Sequence, residues 1–201
     1  VRLGATVAAL ETRDDRVSEA VLADGERVGA DVFVSTVPTE VYLRLLPDDT
    51  AGLASIQYSA LLSVICATRQ HVTPEFYWMN VASLDRTACG IFMLHSLNPT
   101  IGAPRDSCVN FLTYLRGRDR PLFRQSDDQL LAAYREDFRA IFGVELAPFW
   151  VNVARIPMYS PVFGRDYRNP PVRSQTWRNV YFAGNYRTFP SVASTGTALA
   201  S

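Results

Sequence analysis

The tract Ala30-Asp31-Val32-Phe33-Val34-Ser35-Thr36-Val37-Pro38 constrains the fold more than any other part of the chain. Its centre, Val32-Phe33-Val34, is an unbroken apolar run, and Pro38 closes the strand that it predicts. A strand with one wet face alternates apolar and polar residues. An unbroken run suits a strand covered on both faces, as in a parallel sheet under helices. A second tract of this kind, Asn179-Val180-Tyr181-Phe182-Ala183-Gly184, lies near the other end of the chain and runs into a glycine. Two such strands far apart in sequence imply an α/β domain with a long insertion between its halves.

The rest of the pattern fits that organisation. Residues 6–11 and 16–22 predict strands separated by a polar turn at Arg13-Asp14-Asp15, and Asp24-Gly25 is a hairpin signal. Residues 39–46 predict a helix that Thr39 can cap and Pro47 ends, followed by a short helix over 48–57. Residues 58–68, 76–81, 90–96, 107–115 and 149–156 predict strands, enough for an antiparallel sheet of four or more. Ser126-Asp127-Asp128-Gln129 is the clearest helix start: Ser126 caps, Gln129 reciprocates, and the acidic pair favours the positive end of the dipole. Leu130, Leu131, Tyr134, Phe138, Ile141 and Phe142 continue it as an apolar stripe, and Gly143 is a terminator. Residues 157–178, rich in Pro, Tyr and Arg, read as a long ordered loop.

The fold class expected is therefore α/β combined with α+β. Residues 1–38 and 179–201 form part of a Rossmann-like nucleotide-binding domain. Residues 39–178 form an inserted, substrate-binding antiparallel sheet with helices. Residue 1 is Val, and Ser194–Ser201 reads as the first turns of a helix, so a longer parent protein is expected. Formal net charge is zero, which argues against a nucleic-acid partner. All 20 basic residues are Arg, so no Lys is present to act as a base or form a Schiff base. Cys66, Cys89 and Cys108 make no C-x-x-C pair and have no zinc-site spacing. Their odd, scattered arrangement suggests a reducing, cytoplasmic setting. Cys66 lies in an apolar run and reads as a buried small hydrophobe. No apolar stretch nears the ~20 residues that cross a bilayer.

Chemistry is suggested where strands end in small residues. The strand running into Gly184-Asn185 lets a bulky ligand approach the backbone, and Gly196-Thr197-Ala198 opens a helix whose N–H groups can hold an anion or a carbonyl oxygen. The same residues also suit an ordinary strand, loop and helix in which glycine serves packing. Three stretches nevertheless occur together: Val7 to Leu10 before a hairpin, Ala30 to Pro38, and Asn179 to Asn185 followed by Gly196-Thr197-Ala198. In order and separation they resemble the flavin-containing amine oxidase superfamily, which includes protoporphyrinogen oxidases and phytoene desaturases.

The resemblance covers the outer third of the chain and implies a parent that binds FAD, a cofactor this segment alone is not expected to retain. It implies that Val7 meets the adenine, and that Thr36 and Pro38 pass the adenosine and pyrophosphate. It places Gly184 and Asn185 by the pyrophosphate and ribityl chain, and Gly196, Thr197 and Ala198 facing the flavin ring. Asn185 stands where the family usually has Asp or Glu, and Thr197 where it has Ala. The family's G-x-G-x-x-G phosphate loop is absent, and so is the Lys that many amine oxidases place near the flavin.

Other residues carry two readings each. His71 and His95 lack metal-ligand spacing and read as structural or surface residues. Glu75, Asp85 and Asp119 read as solvated loop residues. Tyr77, Trp78, Phe92, Tyr114, Trp150 and Tyr159 either line an apolar substrate cavity or form the core of the middle domain. Arg155, Arg165, Arg168 and Arg173 either bind a diphosphate or carboxylate or are solvated. No catalytic residue is identifiable. The reaction implied is hydride removal from a CH–CH or CH–N bond of a small apolar molecule. A flavin-dependent sugar-nucleotide mutase and a non-enzymatic binding domain are the alternatives. The face left by truncation is expected to favour self-association.

Overall fold

The computed structural model describes residues 1–49, 52–72, 76–103, 105–192 and 194–201. Glu75 and residues 50–51 of the helix expected over 48–57 lie outside the described residues; residues 52–55 form turn, not helix. In chain order the strands are β1 (Val7–Arg13), β2 (Arg16–Leu22), β3 (Arg27–Gly29), β4 (Phe33–Ser35), β5 (Tyr58–Thr68), β6 (Trp78–Asn80), β7 (Gly90–Met93), β8 (Ser107–Leu115), β9 (Pro148–Pro161) and β10 (Val180–Phe182). The helices are α1 (Thr39–Leu45), α2 (Leu94–Leu97), α3 (Asp127–Phe142) and α4 (Thr195–Leu199). Among the described residues no helix is long and apolar enough to cross a membrane.

Two compact units result, one of Val1–Gln57 with Ser160–Ser201 and one of Tyr58–Tyr159. The divisions thus fall after Gln57 and Tyr159, rather than after Pro38 and Arg178 as the sequence suggests. Side-chain packing explains the first shift: Tyr42 of α1 meets Phe182 of β10 edge-on at 5.0 Å. Backbone pairing explains the second. The N–H of Phe182 donates to the Val172 carbonyl at 2.7 Å, and that of Ser174 to Val180 at 2.9 Å.

In the first unit, β1, β2 and β3 form an antiparallel meander, and β4 pairs in parallel with β10. Gly25 takes a φ of 88° at the expected hairpin. Phe33 points inward beside a buried cluster of Val17, Tyr42, Leu46, Leu53, Val180, Phe182 and Tyr186. Val32 and Val34, on the opposite side of the chain, remain 54% and 60% exposed. Among the described residues, the apolar run is therefore covered on one face only. The helix after Pro38 also differs in detail, because Thr39 is its first residue and Pro38 occupies the cap position with no side-chain cap bond.

The second unit is one five-stranded sheet, ordered β6-β7-β8-β5-β9, with α3 on one face. The pairs β6–β7, β7–β8 and β5–β8 are antiparallel. Alternation sorts the side chains: Leu62, Val64, Cys66, Ile91, Val109 and Phe111 pack with Leu130, Tyr134 and Phe138 of α3. Ser126 and Gln129 form the capping box that starts α3, and Gly143 closes it at φ 71°. β7 stops at Met93 and turns into α2, whereas β9 continues to Pro161, so the expected loop begins five residues later. Prolines fit there because β9 is an edge strand, where a missing N–H donor leaves no ladder bond unmade.

His95 and Cys66 are structural, as their surroundings suggest. The His95 Nδ1 accepts from the Cys108 N–H at 3.1 Å, while Nε2 lies 2.7 Å from the Val72 carbonyl and donates to it. Burial pushes the Cys66 thiol up from 9.0 to about 12 and raises the buried Tyr134 hydroxyl from 10.0 to about 12. Both groups are favoured in the neutral form by the folded state. Their contribution to stability is complete below pH 9 and declines toward pH 12, as the unfolded chain releases protons that the folded chain retains. Urea denaturation at pH 8 and pH 10.5 is expected to give a lower midpoint at the higher pH. Cys66→Ala is expected to reduce that difference.

Candidate functional site

The residues singled out by sequence converge mainly at the carboxyl ends of β4 and β10. Because the two strands are parallel, Ser35-Thr36 and Ala183-Gly184 emerge on the same side. The Ala183 N–H donates to the Ser35 carbonyl at 3.1 Å, continuing the pairing beyond both strands. Gly184 then adopts φ 141° and ψ 178°, a backbone region essentially restricted to glycine. A Cβ there would lie 3.1 Å from a ring carbon of Tyr186 and 3.6 Å from the Thr36 carbonyl oxygen. Gly184 and Thr36 thus stand within van der Waals reach of each other.

A buried tyrosine supports this strand end. Tyr186 is 1% exposed, donates its hydroxyl to the Ser35 carbonyl at 3.2 Å, and accepts at its own carbonyl from the Tyr167 hydroxyl. Arg187 donates to the carbonyl of Pro170. Asn185 opens the 3-10 turn Asn185–Arg187, and its carbonyl accepts from the Thr188 hydroxyl at 2.9 Å. Below, Tyr42 donates to the buried Asp49 carboxylate at 2.6 Å, and burial with that neighbour raises the Tyr42 hydroxyl well above its ordinary range.

The short helix α4 lies beside this turn. Ser201 accepts from the Gly184 N–H at 2.8 Å and donates to the Ala198 carbonyl at 2.8 Å, tying Ala198 to Gly184. Thr197 is occupied by its own helix. Its N–H donates to the Ser194 hydroxyl at 3.2 Å, and its hydroxyl accepts from the Ser194 N–H at 2.9 Å. A threonine at this position is explained by that reciprocal cap. Gly196, one residue earlier, is exposed. Thr36, Gly184, Asn185 and Ala198 are therefore brought together, with Pro38 at the start of α1. Val7 stands apart in the three-stranded sheet, opposite Leu22 and 40% exposed.

Three contributors were not legible as such. Asn179 links β2 to this region through its side chain, Tyr186 lies beneath the glycine, and Ser201 closes the turn. Only Asn179 left a signal, a polar residue immediately before a buried strand. None of Thr36, Gly184 and Asn185 carries a negative charge, and the glycine leaves a gap that a Cβ would fill. These features fit the close approach of an anionic dinucleotide to backbone. Arg155 is removed from the anion-binding candidates. Its guanidinium donates to the carbonyls of Phe123 (3.2 Å) and Gln125 (2.6 Å) and pairs with Asp127 at 2.7 Å.

Five of the six middle-unit aromatics singled out by sequence are not core residues. Tyr77, Trp78, Tyr114, Trp150 and Tyr159 are each 38–50% exposed, with Trp78 stacked on Phe92 at 5.2 Å and Tyr114 beside Tyr159 at 5.8 Å. Trp78, Phe92 and Tyr114 lie on the sheet face opposite α3.

Known proteins share this architecture. The chain superposes on a solved protein from Exiguobacterium sp. 255-15, assigned as a protoporphyrinogen oxidase, with a TM-score of 0.73 and 19% identity. That match covers 92% of this chain and 42% of the other. An oxidoreductase from Methanosarcina mazei gives 0.71 at 15% identity, covering 97% and 47%. A redesigned putrescine oxidase gives 0.62 at 14% identity, covering 89% and 42%. At such identities the likeness concerns the fold, and the chain spans less than half the length of each of these structures. No curated protein matches it. The sequence pattern of flavin-containing amine oxidoreductases, however, matches residues 1–201 throughout. With the parallel strand ends meeting at Gly184, that match places the chain in the flavin-containing amine oxidoreductase family.

Proposed function

We propose that this chain is part of an FAD-dependent oxidoreductase that removes a hydride from a CH–CH or CH–N bond of a small apolar substrate. The observation that carries the reading is the convergence of Thr36 and the side-chain-free Gly184 at the ends of two parallel strands, in a chain of a flavin family. In this reading Gly184 and Thr36 offer backbone to the pyrophosphate and ribityl chain, and Asn185 offers a neutral hydrogen-bonding side chain. Pro38, Gly196, Thr197 and Ala198 border the cofactor, and Val7 borders its adenine. The flavin supplies the redox chemistry when bound. These residues position it and keep negative charge away from its phosphates. The unit Tyr58–Tyr159 supplies the substrate surface. A G-x-G-x-x-G loop is not among the 201 residues, so in this reading a further segment supplies it and the chain alone is inactive.

The test is a visible spectrum of the longer protein, purified and then mixed with FAD and passed through gel filtration. Flavin bands co-eluting with protein support the reading; a protein that never retains flavin overturns it. Gly184→Ala gives a sharper check. Its Cβ meets Tyr186 in a backbone conformation that costs a non-glycine residue about 1–3 kcal/mol. Flavin retention is expected to fall at least tenfold while the far-ultraviolet circular dichroism spectrum is kept.

A further inference from the structure

The outer face of the five-stranded sheet carries an unexpected composition. A fifth of the chain is charged (20%), and an antiparallel sheet face turned away from its core is ordinarily polar. On this face, among the described residues, no strand presents a charged side chain. Pairing places Trp78, Phe92, Asn110 and Ile65 in one row across β6, β7, β8 and β5, with Leu112 beside Ser63 in the next. None of these six belongs to the core on the α3 side. Trp78 and Phe92 are stacked with rings 15° apart, and Trp78 remains 50% exposed, so one indole face is open to a further ring.

Two polar features interrupt the apolar surface: Asn80, at the β6 end of the second row, and a hydrogen-bonded pair nearer the centre. The Ser63 hydroxyl donates to Asn110 Oδ1 at 2.9 Å, which fixes the amide and leaves its NH2 group without a protein acceptor among the described residues. The row thus holds a stacking platform and, one strand away, a neutral hydrogen-bond donor. A cationic substrate would find no carboxylate to pair with on this face, and a cation–π contact with Trp78, worth about 0.5–1 kcal/mol at an exposed site, falls short of the cost of desolvating an ammonium.

We propose that this face binds a flat, uncharged ring system bearing an oxygen acceptor, stacked on Trp78 and hydrogen-bonded to Asn110, in preference to a protonated amine. The proposal rests on the reading of this unit as the substrate surface. It names the substrate class that surface selects.

Three probes with one ring skeleton test it on the full, flavin-loaded protein by equilibrium dialysis: 9-anthraldehyde, anthracene and 9-(aminomethyl)anthracene in its ammonium form. The aldehyde is expected to bind most tightly, and the ammonium at least tenfold more weakly. Trp78→Ala is expected to weaken the aldehyde roughly tenfold. Asn110→Leu is expected to remove the aldehyde's advantage over anthracene while leaving anthracene unchanged. Trp78 is half exposed, so the variant is expected to fold; Phe92→Leu, a milder change to the same stack, is expected to weaken the aldehyde less, in the same direction. Equal or tighter binding of the ammonium overturns the proposal, as does an affinity indifferent to Trp78. Flavin absorbance read on the same samples separates the two ideas. Flavin retained without ring binding sinks this proposal alone, and ring binding without flavin sinks the flavin reading alone.

Discussion

Phe111→Ala is expected to destabilise the Tyr58–Tyr159 unit by about 3–5 kcal/mol, a large part of the roughly 5–15 kcal/mol that holds a typical domain folded. Phe111 is 0% exposed at the middle of β8, paired with Ile91 on one side and Val64 on the other. Its ring stacks on Tyr134 at 5.2 Å and meets Phe138 edge-on at 6.1 Å, so it joins the central strand to the buried stripe of α3. Removing the ring forfeits its transfer energy and leaves a cavity that the stiff, hydrogen-bonded sheet cannot close. The Tyr134 hydroxyl is held at 2.6 Å from Thr113, which further limits collapse from the helix side. Urea denaturation followed by circular dichroism measures the change. Phe111→Leu, which keeps most of the volume, is expected to lose less than half as much. An alanine variant that loses under about 1 kcal/mol would mean that α3 settles into the space and that this ring does not organise the unit.

How much of this was legible depends on how local the deciding interaction is. β5, β8 and the start of α3 follow the sequence because alternation and a capping box act within a few residues. β9 runs past its expected end, since Pro157 and Pro161 look like breakers until the strand is known to be an edge. The run Val32-Phe33-Val34 predicts cover on both faces, but the sequence cannot say whether the covering layer lies within the same 201 residues. Gly184 stands out in the sequence by its position after an apolar strand. Its φ of 141° depends on Tyr186 and on Ser201, which is remote in sequence. The aromatic row Trp78-Phe92 was visible as composition only. Its open, uncharged face appears once register puts four strands side by side.

The largest effect expected in the other unit comes from a residue whose role lies in contacts across the whole chain. Between the pairs Glu11–Glu19 and Thr12–Val17 the register of β1 and β2 shifts, leaving Ser18 extra. The backbone of Val17 bonds instead to Asn179. The Asn179 Oδ1 accepts the Val17 N–H at 2.9 Å, and its Nδ2 donates to the carbonyls of Val17 at 2.8 Å and Asp31 at 3.3 Å. Val17 is 1% and Asn179 2% exposed, so water has little access to these groups. Asn179→Ala strands a buried donor and acceptor, each costing about 1–3 kcal/mol, and a total loss of about 2–4 kcal/mol is expected. Asn179→Asp is expected to fare no better: its carboxylate can accept from Val17 but then faces the carbonyls of Val17 and Asp31. Trp177, two residues away, reports the unfolding of this unit by its emission in urea. Hydrogen exchange at the Val17 amide should quicken in step. Because the Asn179 carbonyl also accepts from the Phe33 N–H at 2.9 Å, loosening it shifts the register that aligns Thr36 with Gly184. Flavin retention by the longer protein is therefore expected to fall along with stability. A variant that keeps full stability and slow exchange at the Val17 amide would show that water replaces the side-chain amide and that the strand ends are held by the β4–β10 pairing alone.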